Sequence, residues 1–329
     1  MNMKVLLVTG GAGFIGSNFI NLFLRKYKDF TLVNIDKLTY AGNLDNLKEI
    51  EGVPRYHFIK GDICNSDLVS YVFKQFNPDY IINFAAESHV DKSIKNPSLF
   101  IKSNVSGTLN LLQWAYNTWK KNGFDDKRFL QISTDEVYGS LKNNDDLFYE
   151  TSNLLPNSPY SASKASADLL VRSFTKTYKM PAIITRCCNN YGPYQNAEKF
   201  IPTCIINALK EGLIPIYGEG NNVREWIHVT DHCEAVTNAL FYGKVGEIYN
   251  IGTGNEISNI NMAKTILNVL GRPQDSIIKI TDRPGHDIRY ALDSSKIKNE
   301  LNWFPSYKLI EGIVDTVKWY VDNKSWWDK

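Results

Sequence analysis

Cysteine is scarce. There are five in 329 residues, an odd number with no C-x-x-C pair, so neither a disulfide framework nor a zinc site is available to organise the chain. Charge of one sign is lacking too. The 37 Lys and Arg against 35 Asp and Glu leave +2 with no long run of either kind, which excludes a basic nucleic-acid groove or an anionic-membrane face. No apolar run approaches the ~20 residues that cross a bilayer. The first apolar stretch starts within a few residues of the first Met and reads as a strand rather than a leader, so a reducing cytoplasm is the expected location. No internal repeat and no low-complexity segment is found, and no metal is expected. The length suits one large or two modest domains. Aromatics at 12% suit a stacking pocket or a large core, the core being the simpler reading.

What is present begins at the first strand. Val5 to Val8 is a short apolar run, β-branched at both ends, followed by Gly10, Gly11, Ala12, Gly13, Phe14, Ile15 and Gly16. Gly11, Gly13 and Gly16 match G-x-G-x-x-G. In such a turn one glycine makes the bend, one lets the backbone approach a pyrophosphate, and one lets helix and strand pack closely. The helix that follows presents free N–H groups and a positive dipole end to the phosphates. A second strand, Thr31–Ile35, ends in Asp36, about twenty residues past the last glycine, where a carboxylate accepts from a ribose 2′-hydroxyl and repels a 2′-phosphate. NAD is therefore expected rather than NADP, with Lys37 the one local feature that weakens the choice.

Further strands are expected at Tyr56–Ile59, Tyr80–Phe84, Phe129–Ser133 and Ala182–Arg186, alternating with helices that include about 104–120 and 159–178. Such alternation predicts a Rossmann-type, doubly wound parallel sheet of α/β class with ligands at the carboxyl ends of its strands. At that edge lie Leu38 and Thr39, set toward the adenosine half of the cofactor, and Asp62 with Ile63. Asp62 is read either as an acceptor for the adenine amino group or as a turn cap. Phe84, Ala85 and Ala86 leave room for a cofactor, and Glu87, Ser88 and His89 stand within reach of a substrate. Beyond Arg186 the alternation breaks. Ile227–Val229 and Ile248–Ile251 are expected to return to the main sheet, and two helices to close the chain. The division expected is a cofactor domain of 1–186 plus about 226–252, and a smaller interleaved α/β substrate-binding lobe of 187–225 and 253–329.

Tyr160 and Lys164 form Y-x-x-x-K, on one face of a helix. An ammonium near a phenol favours the phenolate, lowering its pKa from about 10, so the pair is expected to take a proton from a hydroxyl while hydride leaves the adjacent carbon. Asp135 and Glu136 follow the fifth strand. Two adjacent carboxyl groups can divide acid and base roles if their pKa values are pushed apart; the bland alternative is a turn cap beside a solvated glutamate.

The glycine turn, the polar end of strand five and Y-x-x-x-K resemble the extended short-chain dehydrogenase/reductases. Longer blocks narrow this: Asp36–Asn43, Ala85–Asp91, Ser133–Gly139, Asn189–Tyr194, Pro215–Gly218, Asn222–Arg224 and 282–287 are similar to the dTDP-glucose 4,6-dehydratase family along nearly the whole chain. The resemblance implies oxidation at sugar carbon 4, loss of water across carbons 5 and 6, and return of the hydride to carbon 6, giving a 4-keto-6-deoxy sugar, with a rhamnose pathway as the usual family context. Tyr160 would act as base on the 4-hydroxyl, Thr134 would bond that hydroxyl, Glu136 would take the carbon-5 proton, and Asp135 would protonate the departing 6-hydroxyl. Ser103 and Asn190 complete the expected cofactor set. Ser88, Thr134, Asn189, Lys199, Phe200, Pro215, Tyr217, Arg224, Asn259, Arg283 and His286 are expected around the nucleotide sugar, the arginines on its diphosphate; Tyr217 is read equally as a thymine stack or a core tyrosine. A homodimer through the 104–120 and 160–178 helices is expected, with no nucleic-acid or membrane partner. Lys92, Phe200 and Ile288 depart from the family's usual arginine, leucine and basic residue. The rivals are a CDP- or GDP-hexose dehydratase, a UDP-hexose 4-epimerase, and a catalytically silent NAD-sensing protein.

Overall fold

The computed structural model describes residues 3–121, 123–143, 145–282 and 284–328. In chain order the strands are β1 (Lys4–Thr9), β2 (Phe30–Asp36), β3 (Tyr56–Lys60), β4 (Tyr80–Asn83), β5 (Arg128–Thr134), β6 (Ala182–Cys187), β7 (Asn189–Tyr191), β8 (Ile214–Tyr217), β9 (Val223–His228), β10 (Ile248–Ile251), β11 (Glu256–Ser258) and β12 (Ile277–Ile280). The helices are α1 (Phe14–Lys26), α2 (Ser66–Phe76), α3 (Val90–Lys95), α4 (Pro97–Phe100), α5 (Gly107–Trp119), α6 (Pro159–Tyr178), α7 (Phe200–Leu209), α8 (Val229–Tyr242), α9 (Asn259–Val269), α10 (Ser295–Leu301), α11 (Leu309–Asp322) and α12 (Lys324–Trp327).

The main sheet is parallel throughout, in the order β10-β6-β5-β4-β1-β2-β3. Its strands are near-continuous apolar runs because helices cover both faces. Phe19 and Ile20 of α1 and Val236 and Leu240 of α8 share one core; Val69 of α2, Leu111 of α5 and Val171 of α6 share the other. Much of the aromatic content is core: Phe23, Tyr27, Phe30, Tyr80 and Phe241 pack ring on ring between α1, the sheet and α8. Several polar groups that enter the sheet satisfy one another. Thr9 donates to Asn83 at 2.6 Å, and Asn83 donates to Gln131 at 2.9 Å, a buried ladder across β1, β4 and β5 at the strand ends. The strand order reverses between β1 and β4, where a crevice opens for a ligand.

Three expectations are corrected here. The segment at 227–229 does not return to the main sheet: β9 pairs with β7 and β11, with Asn190 opposite Ile227 and Arg224 opposite Ile257, and β10 takes the place beside β6. An apolar triplet specifies burial but not which sheet provides it. The helix expected at 104–120 begins earlier, because α4 runs through a π-helical stretch, Ile101–Ser106, into α5. The closing helices are α10, α11 and α12 rather than two. The smaller lobe adds a β12-β8 pair to the β11-β9-β7 sheet and has a core of its own from α7, α9 and α11, including Ile201, Ile205, Met262, Ile266 and Ile313.

Candidate active site

The glycines of the first turn are glycines for different reasons. Gly10 has φ +72°, and a Cβ there would overlap the Phe84–Ala85 backbone. At Gly11 it would strike Asn34 and Ile20, and at Gly16 the Gly10 carbonyl. Gly13 alone has room: an added Cβ would meet only Gly10 O at 3.3 Å and Ala41 O at 4.0 Å. A side chain at Gly13 would meet no direct overlap, only a tight approach to Gly10 O, and the space beside it belongs to the cleft. Gly13 is also the N-cap of α1 and offers no side-chain capping bond, so the first-turn N–H groups of Phe14, Ile15 and Gly16 border the cleft without a cap. This arrangement fits a dinucleotide pyrophosphate.

Asp36 ends β2 with both oxygens on backbone: Oδ2 accepts from Ala12 N–H at 2.9 Å and Oδ1 from Leu38 N–H at 2.8 Å. Burial raises its pKa against those bonds. Lys37, the feature that weakened the choice of NAD, is held by Asp62 at 2.9 Å, so its charge is paired rather than offered to a 2′-phosphate. Asp62 also caps its own turn, Oδ1 accepting from Cys64 N–H at 2.9 Å.

Ser158 and Ser161 form a reciprocal capping box, and Pro159 opens α6, so the helix starts just before Tyr160. One turn on, Lys164 donates Nζ–H to the Ile132 carbonyl of β5 at 2.6 Å. Thr134, at the end of β5, donates to Asp135 Oδ1 at 3.1 Å and accepts from Glu136 N–H at 3.3 Å. Asp135 is 1% exposed and its Oδ2 has no partner in the protein. Burial first, then the charges of Glu136 and Glu225, push its carboxyl well above the carboxylate range. Asp135 is therefore the group that keeps a proton, and Glu136 stands partly exposed beside it in the same cleft.

The expected lowering of the Tyr160 pKa is corrected. Burial, then Glu136, Cys187 and Asp135, raise it well above 10, and burial also lowers the pKa of Lys164. Y-x-x-x-K places the pair on one helix face, but it cannot report that both side chains are desolvated, and desolvation disfavours phenolate and ammonium alike.

One cleft along the strand ends collects most of the expected residues: Gly10, Gly13, Phe14, Ile15, Gly16, Asp36, Lys37, Thr39, Asp62, Ile63, Phe84, Ala85, Ala86, Ser88, Ser103, Thr134, Asp135, Glu136, Tyr160, Lys164, Asn189, Asn190 and Lys199. Gly11 lies behind the turn with its N–H on Asn34, and Leu38 turns away at φ +55°. The other described residues of the substrate set do not line this cleft. Phe200 stacks on Trp226, with ring centres 6.3 Å apart. Pro215 pairs with Ile278, and Asn259 N–H bonds the Asn222 carbonyl. Tyr217 donates to Asp91 at 3.3 Å, His286 bonds Asp282 at 2.6 Å, and their rings meet edge-on. Arg224 is buried, donates to the carbonyls of Val223, Asp287 and Ile288, and lies over Tyr290. Arg283 lies outside the described residues.

Several cleft residues were not singled out from sequence. Cys187 and Cys188 line it where β6 ends, and the rule that strand ends carry ligands was signal enough to find them. Glu198 gave no signal. It pairs with Lys92 at 2.8 Å, while Lys92 sits 3.3 Å over the Tyr40 ring and Lys199 donates to the Ser88 carbonyl at 2.9 Å. Loops after β2 and β4 and the segment before α7 are thereby fastened together over the cleft.

A glycine-turned, doubly wound sheet whose fifth strand ends against a buried tyrosine–lysine pair defines a short-chain dehydrogenase/reductase of the extended type. The comparisons sharpen this. The family model for GDP-mannose 4,6 dehydratase matches residues 7–316. The dTDP-glucose 4,6-dehydratase of Neisseria meningitidis serogroup B is 48% identical, with 99% of this chain and 95% of that protein covered. The crystal structure of the dTDP-glucose 4,6-dehydratase DesIV from Streptomyces venezuelae, solved with NAD bound, superposes with a TM-score of 0.94 at 45% identity, covering 99% of each chain. A Thermotoga maritima UDP-glucose 4-epimerase superposes with a TM-score of 0.89 at 27% identity, covering 98% of this chain and all of that one. The chain belongs to the dTDP-glucose 4,6-dehydratase family.

Proposed function

We propose that this chain is an NAD-dependent lyase that converts dTDP-glucose to its 4-keto-6-deoxy product. The single observation that carries the reading is the Asp135–Glu136 pair beside Tyr160. An epimerase needs only the tyrosine, the lysine and a hydroxyl; elimination of water also needs a base at carbon 5 and a proton donor at the 6-hydroxyl. Tyr160, held by its capped helix, takes the 4-hydroxyl proton while Thr134 orients that oxygen. Glu136 takes the carbon-5 proton, which the new ketone has made acidic. Asp135 gives its retained proton to the leaving hydroxyl. Bound NAD would supply a hydride acceptor at carbon 4, a hydride donor at carbon 6 and a positive charge that favours the phenolate; Glu136 would return its proton to carbon 5 as carbon 6 is reduced. Gly13, the start of α1, Asp36, Asp62, Ala85, Ala86 and Asn190 hold the cofactor. Arg224, His286, Tyr217 and Lys199 belong to the nucleotide end of the substrate.

The division into a cofactor domain of 1–186 plus about 226–252 and a substrate lobe is part of this reading, supported by the separate core of the smaller lobe and by α8 packing on α1. So is a homodimer, supported by Ile94, Leu99, Ile101 and Leu169, which stay exposed on elements that pack together around α6. Among the described residues no helix is long and apolar enough to cross a membrane, and we assign the chain to the cytoplasm.

The test is to offer dTDP-, UDP-, CDP- and GDP-glucose and GDP-mannose and follow the products by mass spectrometry. Loss of water from dTDP-glucose, with deuterium placed at carbon 4 recovered at carbon 6, is the expected result. An epimerised hexose of unchanged mass, or deuterium lost to solvent, overturns it.

A further inference from the structure

The C-terminal segment reaches the cofactor side of the cleft. α12 carries two adjacent indoles, Trp326 and Trp327, both packed on the core of the smaller lobe. Trp327 donates Nε1–H to the Tyr320 carbonyl at 2.8 Å, within that lobe. Trp326 donates across the boundary instead, Nε1–H to Oδ1 of Asn46 at 2.8 Å, a partner 280 positions earlier in the chain. Asn46 lies in the short 3-10 helix Leu44–Ile50 and is 2% exposed. Its other amide atom, Nδ2, donates to the carbonyl of Ala12 at 3.0 Å. Ala12 sits inside the glycine turn; the same carbonyl accepts from Asn43 N–H at 3.0 Å, and the Ala12 N–H goes to Asp36.

A primary amide rotated by half a turn exchanges its donor for its acceptor, whereas an indole N–H can only donate. Bonded to Trp326, Asn46 must present Oδ1 to the ring, which leaves Nδ2 for the Ala12 carbonyl. The reversed amide would set oxygen against oxygen in a buried site. We infer that Trp326 is a positioning residue for the dinucleotide: through Asn46 it fixes the Ala12–Gly13 peptide, and with it the place where the first N–H groups of α1 meet a pyrophosphate. The inference rests on the reading of this cleft as an NAD site. It also makes the substrate lobe a structural partner of the cofactor turn, because the donor is carried on α12.

The rings of Trp319 and Tyr194, 5.1 and 6.0 Å from Trp326, pack against its faces and edges, so phenylalanine can keep much of this packing while deleting the donor. The experiment is NAD binding by titration calorimetry on full-length protein, with melting followed in parallel. Trp326→Phe is expected to raise the NAD Kd five- to twenty-fold, with the loss falling on KM for NAD rather than on kcat. Trp327→Phe makes the same chemical change one residue away and is expected to stay within twofold. Asn46→Asp can still accept from the indole but cannot donate to Ala12, so it should weaken NAD at least as much, and adding Trp326→Phe to it should cost less than twofold more. Equal Kd values for Trp326→Phe and Trp327→Phe, or full additivity with Asn46→Asp, overturn the inference. A wild-type protein that fails to bind NAD overturns the reading beneath it instead.

Discussion

On the cofactor side of the cleft the groups that face a ligand are peptide N–H groups, glycines and short side chains at strand ends. On the proposed nucleotide-sugar side they are long side chains of the smaller lobe, such as Tyr217 of β8 and Arg224 of β9, already bonded within the protein. Asp36 is fixed by the N–H groups of Ala12 and Leu38; Arg224 is fixed by the carbonyls of Val223, Asp287 and Ile288. The first kind of site is set largely when the sheet forms, with Trp326 of α12 bonded to it from the far end of the chain. The second exists only after segments distant in sequence have met. A cofactor that leaves each catalytic cycle unchanged is suited by the first, and a substrate that must enter and leave is suited by the second. The two carboxyl groups proposed for acid and base, Asp135 and Glu136, follow the end of β5 and line the same cleft.

The sharpest break between the halves is expected at that pair. Replacing both carboxyl groups, Asp135→Asn with Glu136→Gln, should lower formation of the keto-deoxysugar by about 10³-fold or more, since each acid–base group contributes on the order of 10²–10⁴. Oxidation at carbon 4 should remain possible, so the reduced-cofactor absorbance should build up when substrate is added. Product analysis together with that absorbance checks this; unchanged keto-deoxysugar output would mean that the elimination machinery lies elsewhere.

Next in size is a contrast inside the glycine turn. Gly13→Ala points a methyl into cleft space with one tight contact, 3.3 Å to Gly10 O, so the fold should melt within a few degrees of the parent while NAD affinity drops by about tenfold or more, the backbone having lost its close approach. Gly16→Ala drives a Cβ into the Gly10 carbonyl and should cost stability first, about 1–3 kcal/mol by analogy with overpacking. Calorimetric NAD titration beside thermal melting separates the two. If both variants lose only stability, the space at Gly13 is not reserved for a ligand.

The same contrast governs what could be read from the chain beforehand. Strand ends, the glycine turn, Asp36 and the Y-x-x-x-K pair are local patterns with fixed geometry, and they fall where expected. The Tyr160 pKa was misjudged because spacing reports proximity but not burial, and here burial outweighs the neighbouring charge. The strand at 227–228 was placed in the wrong sheet because hydrophobicity carries no information about the partner. Glu198, Asn46 and Trp326 left no trace because each is bonded to a residue far away in sequence. The smaller lobe was legible chiefly through its family resemblance.

A smaller effect is expected on the substrate side. Arg224→Met removes the guanidinium that spans the 287–288 carbonyls; if, as proposed, it binds the diphosphate, KM for the nucleotide sugar should rise about 10- to 100-fold, in line with loss of a charge-assisted bond of roughly 1.5–3 kcal/mol. Arg224→Lys keeps the charge but not the fork and should recover only part of this. The NAD Kd should not follow either change. Steady-state kinetics in both ligands checks it, and a parallel loss of NAD binding would show that Arg224 supports the cofactor side as well.

The smallest effect runs against intuition, because removing the proposed acid should stabilise the protein. Burial and the nearby charges of Glu136 and Glu225 hold the Asp135 carboxyl well above its ordinary value of 3.8. Between that ordinary value and the raised one, the folded state keeps a proton that the unfolded chain has released. The unfolded state then binds fewer protons, and stability falls as pH rises through the window. Below about pH 4 both states are protonated and the penalty vanishes. Asp135→Asn carries no such penalty at any pH. Its advantage over the parent should be on the order of 1 kcal/mol at neutral pH, a size typical of stabilising changes at strained active sites, and should shrink toward zero in acid. Denaturant melts of the two proteins from pH 4 to 8 measure the difference. In the parent the same raised carboxyl should make kcat fall at high pH as Asp135 loses its proton, a limb absent from the residual activity of the Asn variant. An Asn variant no more stable than the parent at pH 7 would mean that Asp135 is ionised in the fold, and the acid would have to be sought in another group.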